Sequence, residues 1–412
     1  MQTKPHIAVV GAGIVGICSA YFLNKSGFQV TLIDQNDPGS MTSYGHACTF
    51  ADYACVPINS TNLFKDVPSM LIRNNGPLSI DFFYMIKNPN WAFKFLRNSS
   101  RNNVNKISEA LGNILKSASV SYDEIFSDVE VSNYIKNEEA IYLYKNEIAY
   151  LKANTANEIR KKNGVQIKVL SKNDIIDLEP NLAPIFHNGQ LFKGSRHTTN
   201  PSAISKKIFE SFINNGGIFV KKNIENITPK ESLVSLSYNN NNYNFDKVVI
   251  CAGSWSNNLT KKFGENFPLD TERGYHVMFD NLDLINRPIG WSHSGFYLVQ
   301  LQDGLRAAGT VEIAGLSKPK NEKRIKMIEV QARKLLPQLN DVKSTWLGFR
   351  PTLPDSLPVI GKSQKHKNII YGFGHQHIGW TLGAVTGKII NTLCEDRKTN
   401  INIESFSPNR FN

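Results

Sequence analysis

Three glycines and one aspartate near the start of the chain have the types and spacing that bind a nucleotide. The glycines belong to the run Gly11-Ala12-Gly13-Ile14-Val15-Gly16, and the aspartate is Asp34. In such a run the first glycine allows a sharp turn, the second lets the backbone approach a pyrophosphate, and the third lets a helix pack closely on a strand. Asp34 can accept hydrogen bonds from a ribose diol, and its charge would repel a phosphate there. The residues therefore indicate a dinucleotide of the FAD or NAD type rather than NADP.

A strand, a tight turn, a helix and a second strand are needed to position these residues. The run His6-Ile7-Ala8-Val9-Val10 is apolar and rich in β-branched residues, and a helical pattern over residues 17–23 follows the glycines. A second apolar strand, residues 30–33, ends directly before Asp34. This is the context that a dinucleotide fingerprint requires. An ordinary glycine-rich turn is disfavoured because both strands and the terminal acid are present.

Two further glycine turns lie far along the chain. Strand-like residues 247–251 run into Ala252-Gly253-Ser254-Trp255, and strand-like residues 368–373 run into Gly374-His375-Gln376-His377-Ile378-Gly379-Trp380-Thr381. The nucleotide domain is therefore expected to be assembled from separated segments. No second GxGxxG motif is present for a nicotinamide site, and the N–H groups of the last helix could receive the electron-rich end of a reduced flavin ring. These features favour FAD over NAD.

His375 and His377 stand two residues apart, a spacing that also occurs among metal ligands. Their glycine neighbours favour a loop against the cofactor instead. No cysteine or carboxylate beside them completes a ligand set. We therefore expect no metal site.

The composition is that of a globular protein of two domains. The chain has 412 residues, of which 41% are hydrophobic and 20% charged, and this length suits more than one core. No stretch approaches the ~20 apolar residues of a membrane span. The first strand begins without a signal peptide, so we expect a cytosolic protein. Five scattered cysteines without a CxxC pair indicate reduced thiols.

The formal net charge of +12 at pH 7 raises the question of an anionic partner. No nucleic-acid motif accompanies the charge, which disfavours nucleic acid, and a lysine-rich composition without a specific partner is the simplest interpretation. The alternative is a membrane surface, because residues 87–101 mix aromatic and basic side chains inside a region of helical pattern, residues 63–131. Peripheral contact with the inner face of the cell membrane is therefore a hypothesis of the sequence.

The expected fold class is α/β, or α+β for the chain as a whole. A discontinuous, Rossmann-like nucleotide domain is expected over residues 1–60, 195–258 and 345–412. An inserted substrate domain is expected over residues 61–194 and 259–344. This domain should combine helices with an antiparallel sheet, because short segments between residues 276 and 310 alternate in polarity.

Several segments carry a resemblance to a known family. They are WLGFRP at residues 346–351, PDSLPVIG at 354–361, LRAAGTVE at 305–312, GFGHQHIGWT at 372–381 and TSYGHA at 42–47. Together they resemble the D-amino acid dehydrogenase small-subunit branch of the FAD-dependent D-amino acid oxidase family. The resemblance extends over most of the chain and is weakest between residues 88 and 179.

The resemblance implies a substrate domain floored by a sheet and hydride transfer from the α-carbon of an amino acid to the flavin. It implies that Arg350 forks onto the substrate carboxylate, a task that suits a guanidinium. The alternative is a structural arginine paired with a nearby acid such as Asp355. Tyr275, Tyr297 and His377 are the other candidate catalytic residues, although each tyrosine could equally be packed in the sheet.

The candidate FAD-binding residues extend from the first turn to the last helix. They are Gly11, Gly13, Ile14, Val15, Gly16, Asp34, Ser43, His46, Ala47, Ile224, Ala252, Gly253, Trp255, Gly374, His375, His377, Gly379, Trp380 and Thr381. His46 could carry a covalent flavin link, as in some relatives, whereas most of this branch hold FAD non-covalently. The electrons are expected to pass to a quinone or a partner protein.

Three other functions stay open from the sequence. The pair of His375 and His377 is closer to relatives that handle cyclic or N-substituted amino acids, so the first is oxidation of secondary amino acids such as hydroxyproline, proline or sarcosine. The second is a non-catalytic flavoprotein subunit. The third is a basic module that acts on a modified tRNA base.

Overall fold

The computed structural model of the protein describes residues 4–59, 76–280 and 283–411. The helical pattern predicted from residue 63 onward begins in residues 60–75, which lie outside the described residues. Two large sheets organise the described chain. None of its helices combines the length and the apolar character that a membrane crossing needs.

A six-stranded sheet forms around the first strand. Strand β1 (His6–Val10) is central, and its residues from Ile7 onward are buried, as expected for a parallel strand that is covered on both faces. Neighbouring strands are parallel except for the last pair. The order across the sheet is β10 (Ile218–Lys221), β2 (Gln29–Asp34), β1, β14 (Lys247–Ile250), β21 (Ile369–Phe373) and β20 (Val359–Lys362).

Helices cover one face of this sheet, and a small sheet covers the other. Helix α1 (Ile14–Lys25) packs against both α9 (Pro201–Asn214) and α12 (Gly379–Cys394). The opposite face is covered by an antiparallel meander whose strands are β11 (Asn226–Pro229), β12 (Val234–Tyr238) and β13 (Asn241–Phe245). The predicted fold class is confirmed by this layered arrangement.

A nine-stranded sheet of mixed direction forms the second half of the molecule. Its longest strands are antiparallel neighbours. The order is β19 (Val342–Thr352), β15 (Asp270–Phe279), β18 (Gly304–Ile313), β17 (Phe296–Leu301), β16 (Ile289–Trp291), β6 (Ile141–Tyr144), β8 (Asn188–Phe192) and β7 (Ile167–Leu170), with β4 (Leu78–Ile80) also paired to β18. Helix α11 (Glu322–Leu335) buries its apolar side against this sheet.

The helices after residue 81 differ in where they pack. Helices α4 (Arg101–Leu115) and α5 (Ala118–Phe126) contact α12, and α5 contributes Tyr122 to the core of the six-stranded sheet. The sequence assigns these helices to the substrate domain, so their packing does not follow that division. By contrast, α2 (Phe82–Lys87) and α3 (Pro89–Arg97) lie beside β4 and β18. Strand β19 also runs across the predicted boundary at residue 345.

The remaining elements are short. Three of them form a small sheet between the two halves: β3 (Thr49–Phe50), β5 (Ile135–Lys136) and β9 (Arg196–Thr198). The other helices are α6 (Glu147–Lys152), α7 (Asn154–Lys162), α8 (Lys172–Leu178) and α10 (Ser256–Thr260).

A buried arginine ties the loop after β2 to the larger sheet. Arg306 on β18 is 1% exposed, and its Nη1 donates hydrogen bonds to the carbonyl oxygens of Tyr44 at 2.7 Å and His46 at 3.2 Å. A guanidinium is always protonated, so its buried charge needs such acceptors. The loop that carries Ser43 and His46 is thereby held between the two sheets.

Candidate active site

A cavity of about 370 Å³ lies between the two large sheets. One wall consists of residues at the carboxyl ends of the parallel strands β1, β2, β10, β14 and β21, the edge at which ligands bind in α/β sheets. The facing wall is supplied by β15 and β19 of the larger sheet, through Gly274, Trp346, Gly348 and Arg350.

Close backbone contacts explain two of the glycines in the first turn. Gly11 has a φ of +107°, and a Cβ atom there would lie 2.4 Å from the carbonyl oxygen of Cys251. A Cβ on Gly16 would lie 1.8 Å from the carbonyl oxygen of Gly11. A Cβ on Gly13 would meet only Ser43 Oγ, at an ordinary 3.4 Å. The fold itself therefore needs Gly11 and Gly16, whereas no protein contact requires a glycine at position 13, which lines the cavity.

The N-terminus of α1 and Asp34 form the polar end of this wall. No side chain caps the helix from its N-cap residue Gly13, and Ser43 Oγ accepts the N–H of Ile14 at 2.9 Å. The Asp34 carboxylate accepts the backbone N–H groups of Ala12 at 2.7 Å and Asn36 at 2.8 Å. A carboxylate has about four acceptor sites, so Asp34 retains capacity for ribose hydroxyl groups.

The segment before α12 forms the other end of the cavity. His375 Nε2 lies 3.0 Å from Thr386 Oγ1 of the same helix region. Gln376 adopts a φ of +50° and is buried, yet its Nε2 has no hydrogen-bond partner in the described part of the chain. His377 is exposed to the cavity, yet it is surrounded by protein on its other sides, so its ring is still largely desolvated. An orphaned amide donor beside a helix N-terminus suits the polar edge of a bound ring system.

Arg350 is held over the larger sheet by backbone acceptors. Its Nη1 donates to the carbonyl oxygen of Thr310 at 2.7 Å, and a Cβ on Gly274 would lie 2.4 Å from its Nη2. Burial lowers the pKa of this guanidinium and Glu272 raises it. Asp355, the alternative partner weighed from the sequence, instead pairs with Arg410 at 2.7 Å. The structure therefore does not support a pairing with Asp355, and the acid opposite Arg350 across the sheet is Glu272.

An aromatic cluster stands beside Arg350 on the same wall. Trp346, four residues before Arg350 on β19, stacks on His276 with ring centroids 5.2 Å apart, and Tyr44 meets both rings edge-on. A Cβ on Gly45 would lie 2.3 Å from the indole. This part of the wall is therefore apolar and closely packed around the indole.

Burial keeps the histidines of the site neutral at physiological pH. It lowers the pKa of His377 to about 4, with a further lowering by the charge of Arg350, and that of His375 to about 3. The pKa of His46 is also lowered well below its usual value, by burial and by Arg306. Within the described ranges, no group of three or more His, Cys, Asp or Glu side chains is arranged to hold a metal ion.

The cavity brings together most of the residues proposed from the sequence. Those that line it are Gly11, Gly13, Ile14, Val15, Asp34, Ser43, His46, Ile224, Ala252, Gly253, Trp255, Arg350, His375, His377, Gly379 and Trp380. Gly16, Ala47, Gly374 and Thr381 are not among the lining residues. Thr381 Oγ1 accepts the N–H of Ala51 at 2.9 Å, so Thr381 and Gly16 support the wall from behind.

Two candidate catalytic residues lie outside the lining of the cavity. Tyr275 pairs opposite Leu347, which places its side chain on the face of the sheet away from Arg350, where its hydroxyl hydrogen-bonds Glu312. Tyr297 lies on β17, and its hydroxyl accepts a hydrogen bond from Tyr53 at 3.3 Å. Neither tyrosine is among the residues that line the cavity, so a catalytic role for either stays a prediction that the cavity does not support.

Sequence reasoning missed Trp346 and Gln376. Trp346 could have been found, because residues four apart on a strand share a face, and Arg350 was already a candidate. Gln376 owes its place to a left-handed backbone conformation, which has no signal in a Gly-His-Gln-His sequence.

A glycine-cradled dinucleotide site that faces a sheet bearing an arginine and aromatic rings defines the class: a flavin-dependent oxidoreductase. The family described as FAD dependent oxidoreductase (DAO) matches residues 6–393, and the chain belongs to this family. The predicted resemblance is therefore confirmed, and so is FAD as the cofactor.

Known proteins resemble this chain over its whole length. A D-amino-acid oxidase of Bradyrhizobium diazoefficiens is 31% identical and covers 100% of both chains. A D-amino acid dehydrogenase of Vibrio vulnificus is 27% identical over 93% of this chain and 94% of its own. The crystal structure of glycine oxidase from Geobacillus kaustophilus superposes with a TM-score of 0.75 over 98% of each chain at 17% identity, a likeness of fold alone.

The described residues fit FAD. The α1 N-terminus and Gly13 would hold the pyrophosphate, Asp34 the ribose, and Ala252 and Gly253 the middle of the cofactor. The α12 N-terminus and Gln376 would face the ring system, where the side-chain amide would find the partner that it lacks.

Adding one methyl group should have different consequences at Gly16 and at Gly13. Gly16→Ala should lower the free energy of unfolding by about 3 kcal/mol or more and abolish FAD binding, because overpacking against backbone cannot be relieved by a side-chain shift. Gly13→Ala should leave the thermal stability of the apoprotein within about 1 kcal/mol of wild type and lose FAD affinity. Thermal unfolding and flavin content measure both. Equal stability of the two variants would contradict this account of the turn.

The flavin should be held non-covalently. Nδ1 of His46 accepts the N–H of Cys48 at 2.9 Å, and Nε2 is buried without a hydrogen-bond partner among the described residues, so a bond to the flavin would have to form at Nε2 and would require this buried atom to become accessible. Acid precipitation of the yellow protein should release all flavin into the supernatant. Colour that stays in the pellet of wild type and disappears in His46→Gln would show a covalent link instead.

Proposed function

We propose that the protein oxidises the CH–NH bond of an amino acid, with D-amino acids as the first candidates, by hydride transfer to FAD. The electrons would then pass to a quinone or a partner protein. The names of two relatives, a D-amino-acid oxidase and a D-amino acid dehydrogenase, support the substrate class. The observation that carries the proposal is the guanidinium of Arg350 in the cavity wall that faces the cofactor cradle.

Arg350 has the features of a carboxylate-binding group. Its known contacts are carbonyl oxygens at the end of β18, which accept N–H bonds without neutralising the charge. A guanidinium has five N–H donors, so donors remain for a bidentate bond to a ligand. A carboxylate bound there would fix the direction of the α-carbon, and such orientation supplies a large part of the rate of this kind of reaction.

Other side chains of the wall would also help to orient the substrate. Trp346 and its stacked partner His276 would pack against the substrate side chain and exclude water. His377 is neutral at physiological pH, so it would not repel the substrate nitrogen and could accept a hydrogen bond from it. Bound FAD supplies the hydride acceptor, while these residues bind and orient.

Anaerobic reduction of the flavin tests the proposal. Among D-, L- and N-alkyl amino acids, D-amino acids should bleach the oxidised flavin spectrum fastest, and a soluble quinone should restore the colour faster than oxygen does. Arg350→Lys keeps the charge but loses the fork, so it should lower the efficiency of bleaching by about 1 to 3 kcal/mol in transition-state free energy. Arg350→Ala should be worse, with FAD content unchanged in both.

Controls separate the carboxylate role from a general effect. Arg333→Lys, outside the cavity, should behave as wild type, and amino acid amides should be poor substrates that are indifferent to the Arg350 variants. Bleaching confined to secondary amino acids would favour that alternative, and no bleaching by any amino acid would indicate a non-catalytic subunit. Full activity of Arg350→Ala would refute the carboxylate role.

We also propose a peripheral contact with an anionic membrane through the aromatic-basic surface, defined as the exposed residues of α2 and α3. Phe83 is 76% exposed and Phe93 68% exposed, beside the exposed basic residues Lys87, Lys94 and Arg97. Trp91 and Phe95, in contrast, are buried and stacked at 4.9 Å. The structure thus reduces the predicted aromatic surface but leaves an apolar and cationic one, a pair of features that suits anionic lipid.

Vesicle binding tests the surface contact. Wild type should co-sediment with anionic vesicles at low salt, and binding should fall as salt rises, because screening weakens the attraction. Phe83→Ser with Phe93→Ser should weaken binding several-fold. Ile148→Ser, which removes an equally exposed apolar side chain (66%) on α6, is the matched control and should bind as wild type. Equal recovery with anionic and neutral vesicles would contradict the proposal.

A further inference from the structure

Glu272 is a buried acid directly opposite Arg350. The two residues face each other across the antiparallel strands β15 and β19, a position in which Cβ atoms lie about 5 Å apart on the same face. Glu272 is 1% exposed, and neither of its carboxylate oxygens has a hydrogen-bond partner among the described residues. A carboxylate in such surroundings depends on a nearby positive charge to stay ionised.

The nearby positive charge is that of Arg350, and Arg350 is also the group that a ligand carboxylate would bind. Glu272 is the acid whose charge acts on this guanidinium. A bound ligand would place a second anion on the same guanidinium. When two carboxylates share one site, the pKa of one of them rises strongly. Glu272 is fully buried, and although the Thr352 hydroxyl favours its charged form, neither carboxylate oxygen has a hydrogen bond of full geometry among the described residues, so its charged form is the less stable of the two.

We propose that Glu272 is a positioning residue that takes up one proton from solvent when a carboxylate binds Arg350. In this step the Glu272 carboxylate and a solvent proton become a carboxylic acid, and the ligand anion replaces Glu272 as the counter-ion of the guanidinium. The inference rests on the proposed function, in which Arg350 receives the substrate carboxylate.

The pKa of Glu272 depends on its burial and on the charged groups around it. Burial raises its pKa to about 7 against the lowering effect of Arg350. Burial also raises the pKa of Asp270 on the same face of β15, against the lowering effect of hydrogen bonds from its own strand and from the Tyr84 hydroxyl of α2 at 2.9 and 3.1 Å. Strand β18 presents the apolar Ile313 opposite Glu272.

The histidines of the cavity do not titrate in this range. The pKa of His276 is lowered to about 3 by burial, and the values of His377 and His46 are lowered as well. A charge change above pH 6 in this wall is therefore assigned to Glu272.

The sign of the pH effect follows from the order of these events. Above pH 7 Glu272 is ionised in the free protein, so ligand binding must recruit a proton, and affinity for a carboxylate falls as pH rises. The limiting slope is about tenfold in Kd per pH unit. Below pH 7 the acid is already protonated, and affinity becomes independent of pH.

Calorimetric titration of the FAD-loaded protein with acetate and benzoate tests this coupling, since neither probe carries an amine that titrates. At pH 8, heats in phosphate and Tris buffers should differ by the ionisation enthalpy of about one proton per bound ligand. Glu272→Gln should take up no proton and bind with one affinity from pH 6 to pH 8.5. Asp270→Asn is the matched control: it should keep the uptake, with a lower midpoint, because the charge of Asp270 raises the pKa of Glu272.

Equal heats in the two buffers and a pH-independent Kd in wild type would overturn the inference, and this measurement decides even where Glu272→Gln fails to fold. Proton uptake that persists in folded Glu272→Gln would overturn it as well. A different result would overturn the proposed function itself. If neither probe binds wild type at pH 6, or if both bind Arg350→Ala as well as wild type, the proposed function is wrong, and the inference is wrong with it.

Discussion

The site depends on a permanently charged guanidinium held in a largely desolvated wall. Arg350 can lie there only because the sheet beneath it is irregular. Gly274 has no side chain to collide with the guanidinium, the pairing of β15 with β18 shifts between Arg273 and Tyr275, and Thr310 takes a left-handed φ of +57°. Such irregularities change the direction in which the groups of a strand point. Here they turn carbonyl oxygens toward an arginine that would otherwise be costly to bury.

The path of the chain explains why the two halves of the site meet. After the second glycine turn the chain enters the larger sheet at β15, and it leaves that sheet from β19 to return through β20. These two strands are neighbours. The two strands by which the chain enters and leaves the larger sheet therefore supply the wall that faces the cofactor cradle. Arg306 adds a second tie, because it holds the loop of Tyr44 and His46 against β18.

The parts of the site that local sequence specifies could be predicted. The cofactor cradle is one, since glycine spacing, β-branched strands and a terminal acid all act within thirty-odd residues. The role that we propose for Arg350 could be inferred only through resemblance, because nothing local distinguishes a cavity arginine from a structural one.

The features that the sequence could not predict depend on long-range pairing. Whether Tyr275 faces the cavity depends on strand register, and a one-residue shift moves a side chain to the other face. The aromatic residues of α3 show the same limit, because the pattern cannot tell buried Trp91 from exposed Phe93 before the neighbouring elements are known. The packing of α5 has the same cause, because its partner sheet lies far from it in sequence.

A crystal structure of the FAD-loaded protein with a bound non-reactive carboxylate such as acetate tests the central claim most directly. The account predicts the carboxylate within hydrogen-bond distance of the Arg350 guanidinium, on the side of the cavity that faces the flavin ring, with Trp346 beside it. A carboxylate bound elsewhere in the cavity, with Arg350 still engaged only by the carbonyl groups of β18, would contradict it.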